Sequence, residues 1–130
     1  MRFVPSRPNP PDSLIVEYDD YPYTKVDIDQ LLMNAPLGQN PYGMRISKQE
    51  RVYNAKLIIS RFLAAGHGLG VGLAAVVNAD KESGLNARAG EGTAGVGLFQ
   101  LTDPGAGSGL EDYEKVDPEV NISKILDVYL

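Results

Sequence analysis

The chain has 130 residues, a length that one hydrophobic core can serve, and its 43% hydrophobic and 22% charged residues are ordinary globular usage. A formal net charge of −5 argues against a nucleic-acid partner bound through phosphate neutralisation. With no cysteine and one histidine, a thiolate or histidine-cluster metal site and a Ser-His-Asp triad are not expected, and no apolar run approaches the roughly 20 residues of a membrane span. No cofactor is expected either, because the Gly-x-Gly-x-x-Gly match at residues 90–95 places Glu91 where a pyrophosphate would lie.

The first 43 residues hold seven of the nine prolines. Proline removes a backbone donor and fixes φ, which disfavours a long helix or a central strand. We therefore predict an extended arm over residues 1–43, outside a globular domain of residues 44–130, with short strand-like or helical stretches at 14–18 and 26–33. Its apolar residues leave two interpretations open: a disordered leader, or an anchor that orders on a partner chain.

The strongest helix signal begins at Ser47. Together with Glu50 it fits a capping box, in which the serine oxygen accepts a free N–H and the glutamate reaches back. Apolar residues then recur at helical spacing along one stripe, formed by Val52, Ala55, Ile59 and Phe62, with Ile58 beside it. Gly66 predicts that this helix ends near Ala65.

The next predicted helix covers residues 71–81 and is apolar nearly all round until Asn78. This pattern is typical of a buried central helix. A short buried strand has a similar pattern, but the alanines favour a helix, which Gly84 would end. Residues 90–109 are glycine-dense and irregular, and a final helix is predicted over about 118–130. The chain is thus expected to be mainly α-helical.

Any acid–base chemistry has to rest on carboxylates, and Glu82 is the best candidate. It lies at the end of an apolar helix, where the macrodipole disfavours an ionised carboxyl, and a general acid has to be protonated at neutral pH. The glycines that follow it, at Gly84 and over residues 90–97, would let a bulky ligand approach closely. On these residues alone, an ordinary exposed glutamate near a helix end is the simpler interpretation.

Two sequence segments, which follow one another in the chain, favour a catalytic role for Glu82 over an ordinary exposed glutamate. Residues 79–86 read Ala-Asp-Lys-Glu-Ser-Gly-Leu-Asn, and Gly-Leu-Phe-Gln-Leu follows at residues 97–101, fifteen residues after the glutamate. Together they resemble the lysozyme-like lytic transglycosylase family, which includes goose-type lysozymes, soluble lytic transglycosylases and peptidoglycan-degrading domains of phage particles. The similarity covers about residues 50–130. It implies a lysozyme-like domain that follows the proline-rich arm.

The resemblance implies a role for each matching residue. Glu82 would be the catalytic acid/base, and Ser83 would orient it or the substrate. The wall of the sugar groove would be formed by Gly97, Leu98, Phe99 and Gln100. The Gln100 amide would bind sugar or acetamido groups, whereas core packing is an equal alternative for Phe99. Asp103 is the nearest downstream candidate for a second carboxylate, although a turn residue is the simpler interpretation there.

One departure from the family concerns the C-terminal part of the domain. The family continues into an Ala-Tyr-Asn-Ala-Gly-like motif that this sequence lacks, and Tyr129 cannot be assigned the tyrosine of that motif. A domain incomplete at its C-terminus, a partner that closes the groove, or a weakly catalytic domain would each account for this.

The resemblance implies a transglycosylase with a single glutamate, ahead of a two-carboxylate hydrolase. The substrate would be the glycan strand of peptidoglycan, cut at the β-1,4 bond between N-acetylmuramic acid and N-acetylglucosamine. The implied setting is a phage particle that acts at the bacterial cell wall, with other virion proteins as partners of residues 1–43. The alternative is a structural virion protein with a lysozyme-like shape and little or no turnover.

Overall fold

The computed structural model describes residues 14–17 and 25–129, and these are mainly helical, which confirms the predicted class. The elements in chain order are β1 (Ile15–Glu17), β2 (Lys25–Asp27), α1 (Ile28–Asn34), a 3₁₀ helix (Gly43–Arg45), α2 (Lys48–Ala64), α3 (Leu69–Ser83), α4 (Asp112–Lys115) and α5 (Pro118–Tyr129). The two strands pair antiparallel, with Val16 opposite Val26. Within the described ranges, no helix combines the length and apolar character that crossing a bilayer requires.

Helix α2 begins and ends where the sequence predicts. The hydroxyl oxygen of Ser47 accepts a hydrogen bond from the backbone N–H of Glu50 at 3.0 Å and so caps the N-terminus. The helix ends at Ala64, and Gly66 follows with a φ of 94°, in the left-handed region that favours glycine. The whole predicted apolar stripe is buried: Val52, Ala55, Ile58, Ile59 and Phe62.

The central helix is α2, which packs against α1, α3 and α5. Every residue of α2 from Asn54 to Ser60 is buried, whereas α3 exposes one face, on which 43% of Val71 and 68% of Val77 are accessible. The prediction that this helix is the buried central one is therefore corrected: α3 is buried on one face only, and α2 is the central helix. The apolar pattern of the sequence points to the wrong central helix, because the polar residues of α2 are buried with hydrogen-bond partners from other parts of the chain. The Asn54 amide, for example, donates to the carbonyl of Leu85 at 2.8 Å.

The described part of residues 1–43 packs onto the helices. Four of its side chains belong to the hydrophobic core: Leu14, Ile28, Leu32 and Leu37. The ammonium of Lys56 in α2 lies 2.5 Å from the Asp29 carboxylate of α1, which adds an ion pair to this contact. For these residues, the expected arm outside the globular domain is corrected, because the proline-free stretch before Pro36 forms α1 and buries its apolar face. The rest of the predicted arm, residues 1–13 and 18–24, lies outside the described residues.

The chain between α3 and α4 runs through turns, as its glycine content predicts, with an antiparallel bridge between Val96 and Leu101. The short helix α4 has no counterpart in the sequence prediction, and its start is capped by Glu114, which accepts the N–H of Glu111 at 3.0 Å. Helix α5 begins at Pro118, as predicted, and packs against α2 and α4. This arrangement brings α5 and the glycine-rich turns towards the end of α3.

Candidate functional site

Glu82 occupies the last turn of α3, and residues 38–43, which we call the clamp loop, hold that turn. The side-chain amide of Asn40 donates to the carbonyls of Asp80 at 3.2 Å and Lys81 at 3.3 Å, and the Asp80 carbonyl also accepts the backbone N–H of Gly84. In the other direction, the Asp80 carboxylate accepts the backbone N–H of Gly38 at 2.7 Å. The placement of Glu82 thus depends on a segment that composition assigns to the arm.

Gly84 ends α3 at a point where two backbones touch. Its φ of 61° lies in the left-handed region. A Cβ added there would stand 2.3 Å from Oδ1 of Asn40 and 2.4 Å from the backbone nitrogen of Gly43. Glycine is therefore required both for the conformation and for the close approach. It lets the clamp loop lie directly against the helix end, two residues after Glu82.

The Glu82 side chain lines an open, largely apolar pocket of about 380 Å³, which we call the Glu82 pocket. Helices α2, α3 and α5 and one glycine-rich turn contribute its other lining residues: Phe62, Val71, Ala74, Ala75, Asn78, Phe99, Ile125 and Tyr129. Among the described residues that line it, Glu82 is the only carboxylate. Glu82 is exposed and Tyr129 is 64% accessible, so a ligand can reach both from solvent.

Phe99 is held at this pocket by Asn121, a fully buried residue of α5. The Asn121 side-chain oxygen accepts the backbone N–H of Phe99 at 2.9 Å, and its amide donates to the carbonyls of Val96 at 3.1 Å and Lys115 at 2.9 Å. Sequence reasoning missed this positioning role. The available signal was an asparagine between Val120 and Ile122, because a polar side chain that is buried needs partners.

Ser83 and Leu98 do not line the Glu82 pocket. Ser83 is fully buried, and its hydroxyl donates to the carbonyl of Ala79 at 2.8 Å and accepts the N–H of Leu85 at 3.2 Å. Leu98 belongs to the hydrophobic core. Both side chains therefore stabilise the fold around the helix end.

Gly97 and Gln100 shape the turn that presents Phe99. Gly97 has a φ of 88°, and an added Cβ would stand 2.2 Å from the amide nitrogen of Asn121. The Gln100 amide, which we expected to bind sugar, donates to the carbonyls of Ala89 at 2.9 Å and Gly97 at 3.0 Å. In this structure the N–H groups of the Gln100 amide are therefore bonded to backbone carbonyls.

Asp103 lies in a separate turn and does not line the Glu82 pocket. Its carboxylate is exposed and accepts the hydroxyl of Ser108 at 3.0 Å, which is the geometry of a turn residue. Of the predicted site residues, the structure thus brings Glu82 and Phe99 to one pocket, and Phe99, which is 7% accessible, also packs in the hydrophobic core, the alternative expected for it. It adds Tyr129, which the sequence alone could not assign.

The charged groups with displaced pKa values belong to ion pairs between helices. Hydrogen bonds to Glu119 of α5 raise the pKa of Arg61 in α2. Burial opposes ionisation of Asp29, but the hydrogen bonds from Lys56 and from the backbone of Leu14 outweigh it and lower the pKa of Asp29. Neither pair lines the Glu82 pocket. Within the described ranges, no group of three or more histidine or carboxylate side chains is arranged to hold a metal ion.

No protein-family model, curated protein or solved structure matches this chain.

Proposed function

We propose that this chain is a lysozyme-like lytic transglycosylase of a phage particle that cleaves the β-1,4 bond between N-acetylmuramic acid and N-acetylglucosamine. The observation that carries the proposal is the Glu82 carboxyl beside Phe99 and Tyr129 in one open pocket. The resemblance of residues 79–86 and 97–101 to the lytic transglycosylase family supports the same assignment. The phage setting and the action at the cell wall come from that resemblance alone.

A sugar bound at this pocket would lie against apolar and aromatic surface. Tyr129, which is 64% accessible, offers an aromatic ring for the apolar face of a sugar and a hydroxyl for a polar contact, while Phe99, which is 7% accessible, adds apolar surface to the pocket wall. The bound sugar would exclude water from the neighbouring carboxyl. A carboxyl group removed from water favours its protonated form, which is the form that a general acid needs.

The proposed reaction uses the Glu82 carboxyl twice. As an acid it protonates the glycosidic oxygen, the bond from that oxygen to C1 of the muramic acid breaks, and the next sugar leaves as an alcohol. As a carboxylate it then accepts the proton of the C6 hydroxyl on the same muramic acid, while the C6 oxygen bonds to C1. The product ends in a 1,6-anhydro ring, no water is consumed, and Glu82 is protonated again.

The number of carboxylates favours this lyase over a hydrolase. Hydrolysis normally uses two carboxyl groups about 5–9.5 Å apart on either side of the bond. Glu82 is the only carboxylate among the described residues lining its pocket, and Asp103 is engaged by Ser108 elsewhere. A single group that acts in turn as acid and base is consistent with this arrangement.

A structural virion protein with a lysozyme-like shape and little turnover is the second candidate. The side chains of Ser83 and Gln100 bond to backbone, and Leu98 packs in the core. The motif that suggests an enzyme can therefore be explained in part by the needs of folding. This observation favours the structural alternative over a sugar groove in which every one of these residues contacts the substrate.

Glu82→Gln separates the two candidates. Glutamine has nearly the same size but cannot transfer a proton, so release of fragments from purified peptidoglycan should fall by about 10²–10⁴-fold or more. Folding should be retained, because a carboxylate at a helix C-terminus is unfavourable by about 0.3–1 kcal/mol. Asp103→Asn is the matched control, and we expect near-normal activity for it.

Three outcomes contradict parts of the proposal. A folded wild-type chain that clears no band in a peptidoglycan gel favours the structural protein. Full clearing by Glu82→Gln would falsify the assignment of the acid. An equal collapse in Asp103→Asn indicates a two-carboxylate hydrolase, which mass spectrometry checks independently, since anhydro ends are one water lighter than reducing ends.

A further inference from the structure

A second cavity, of about 570 Å³, has no part in the proposed reaction. It lies between the 3₁₀ helix with the start of α2 and the turns after α3, and we call it the Arg45 pocket. Its volume falls within the range of about 300–1,000 Å³ that is usual for small-molecule sites. The Asn86 amide donates to the carbonyl of Tyr42 at 2.9 Å and joins the two walls.

Charges of both signs line the Arg45 pocket. Arg88 bonds both carboxylate oxygens of Glu91, at 2.8 and 2.9 Å, so these two charges neutralise each other. Arg45 and Glu50 are also exposed, and neither forms an ion pair with another described residue. The guanidinium of Arg45 lies 5.6 Å from the centre of the Tyr42 ring, a cation–π contact that restrains it. One cation and one anion therefore remain open to a ligand.

We propose that the Arg45 pocket binds the peptide stem of peptidoglycan. A carboxylate of the stem would pair with Arg45, and the free ammonium group of the stem would pair with Glu50. This inference rests on the proposed function because it takes peptidoglycan as the substrate, but it does not require that the chain cleaves the glycan strand. Where the stem is attached, the lactyl carboxyl of N-acetylmuramic acid is in an amide bond, so the sugars themselves carry no charge that could pair with Arg45 or Glu50. A stem that ends in a diamino acid carries both charges, and an arginine binds a carboxylate through two parallel hydrogen bonds.

The two pockets are close along the chain. Asn86 follows Glu82 by four residues, so their Cα atoms are at most about 14 Å apart. The intervening Gly84 and Leu85 both have positive φ, at 61° and 63°, so the chain turns and the separation is shorter than this limit. Glu82 and Asn86, which line different pockets, are therefore closer together than the length of an extended peptide of about four residues.

The test is calorimetric titration of the full chain with N-acetyl-L-alanyl-γ-D-glutamyl-diaminopimelate, whose acetyl cap imitates the bond to muramic acid. Arg45→Gln and Glu50→Gln should each weaken binding about tenfold, as expected for loss of a hydrogen bond to a charged group. Lys124→Gln and Asp127→Asn in α5 make the same charge changes outside the pocket and should bind as wild type does. Thermal melting verifies that all four variants are folded.

A second probe isolates the ammonium contact. The same peptide acetylated on its remaining amino group should bind wild type and Glu50→Gln equally weakly. Absence of peptide binding to the folded wild-type chain overturns the inference even where peptidoglycan is cleaved, and so does binding that Arg45→Gln leaves unchanged. Binding with the expected pattern in a chain that cleaves no peptidoglycan would refute the transglycosylase and retain the peptide site.

Discussion

Replacing Asn121 with alanine should loosen the turn that presents Phe99 to the Glu82 pocket. The change removes a partner from three backbone groups: the N–H of Phe99 and the carbonyls of Val96 and Lys115. A buried polar group without a partner costs about 1–3 kcal/mol. The Val96 carbonyl also accepts the N–H of Leu101 at 3.0 Å, so it keeps a partner and the loss of its hydrogen bond from Asn121 costs little. The other two groups together predict a loss of about 3 kcal/mol in the free energy of unfolding.

Urea denaturation measures this loss, with Ser123→Ala as the control. Ser123 is exposed on the same helix, so its replacement should change the free energy of unfolding by less than about 0.5 kcal/mol. Two-state transitions of equal slope make the comparison valid. A loss below about 1 kcal/mol for Asn121→Ala would refute the reasoning, because it would mean that these hydrogen bonds do not hold the turn.

Two further predictions concern stability. Gly84→Ala should cost more than about 1 kcal/mol in urea denaturation, because its Cβ would stand 2.3 Å from Asn40 at a positive φ. In Gly68→Ala the added Cβ meets nothing within 4 Å, so an equal effect of the two changes would contradict the close-contact argument. Burial opposes ionisation of Asp29, but the interactions with Lys56 and the backbone N–H of Leu14 together outweigh it and lower the pKa of Asp29 below 3.8. The stabilisation by the ionised Asp29 is therefore present above that pH and is lost as the pH falls through the folded-state pKa. Asp29→Asn should therefore flatten the decline of stability in acid, and parallel curves for the two proteins would argue against this ion pair.

Local signals predict the helices well, since their causes are local. The Ser47 cap, the apolar stripe of α2 and the proline at the start of α5 each act within a few residues. The choice of central helix is different, because it depends on partners distant in the chain. Lys56 is typical of a surface residue until α1 brings Asp29 to its ammonium. Composition alone therefore favours α3 as the central helix and misplaces the boundary of the packed core.

The candidate site divides in the same way. Glu82 at a helix end follows from Gly84, which is visible in the sequence. That Phe99 shares its pocket depends on Asn121, whose partners Phe99 and Val96 lie in the glycine-rich turns and whose third partner, Lys115, ends α4. Gln100 illustrates the limit of a motif: its surroundings indicate that it needs partners, but not that the partners are backbone carbonyls.

The contacts of the clamp loop determine where recombination can cut the chain and still keep the end of α3 with the residues that hold it. A junction at residue 44 follows the proline distribution, but it would leave behind Asn40, which bonds the end of α3, and Ala35, whose carbonyl accepts the Lys48 ammonium at 2.5 Å. The recipient would inherit the glutamate without the segment that orients it. A crossover before β1 would transfer α1 and the clamp loop together with Glu82. Transfer of Glu82 with the contacts that hold its helix end would therefore require a longer exchange than residues 50–130, which resemble the family.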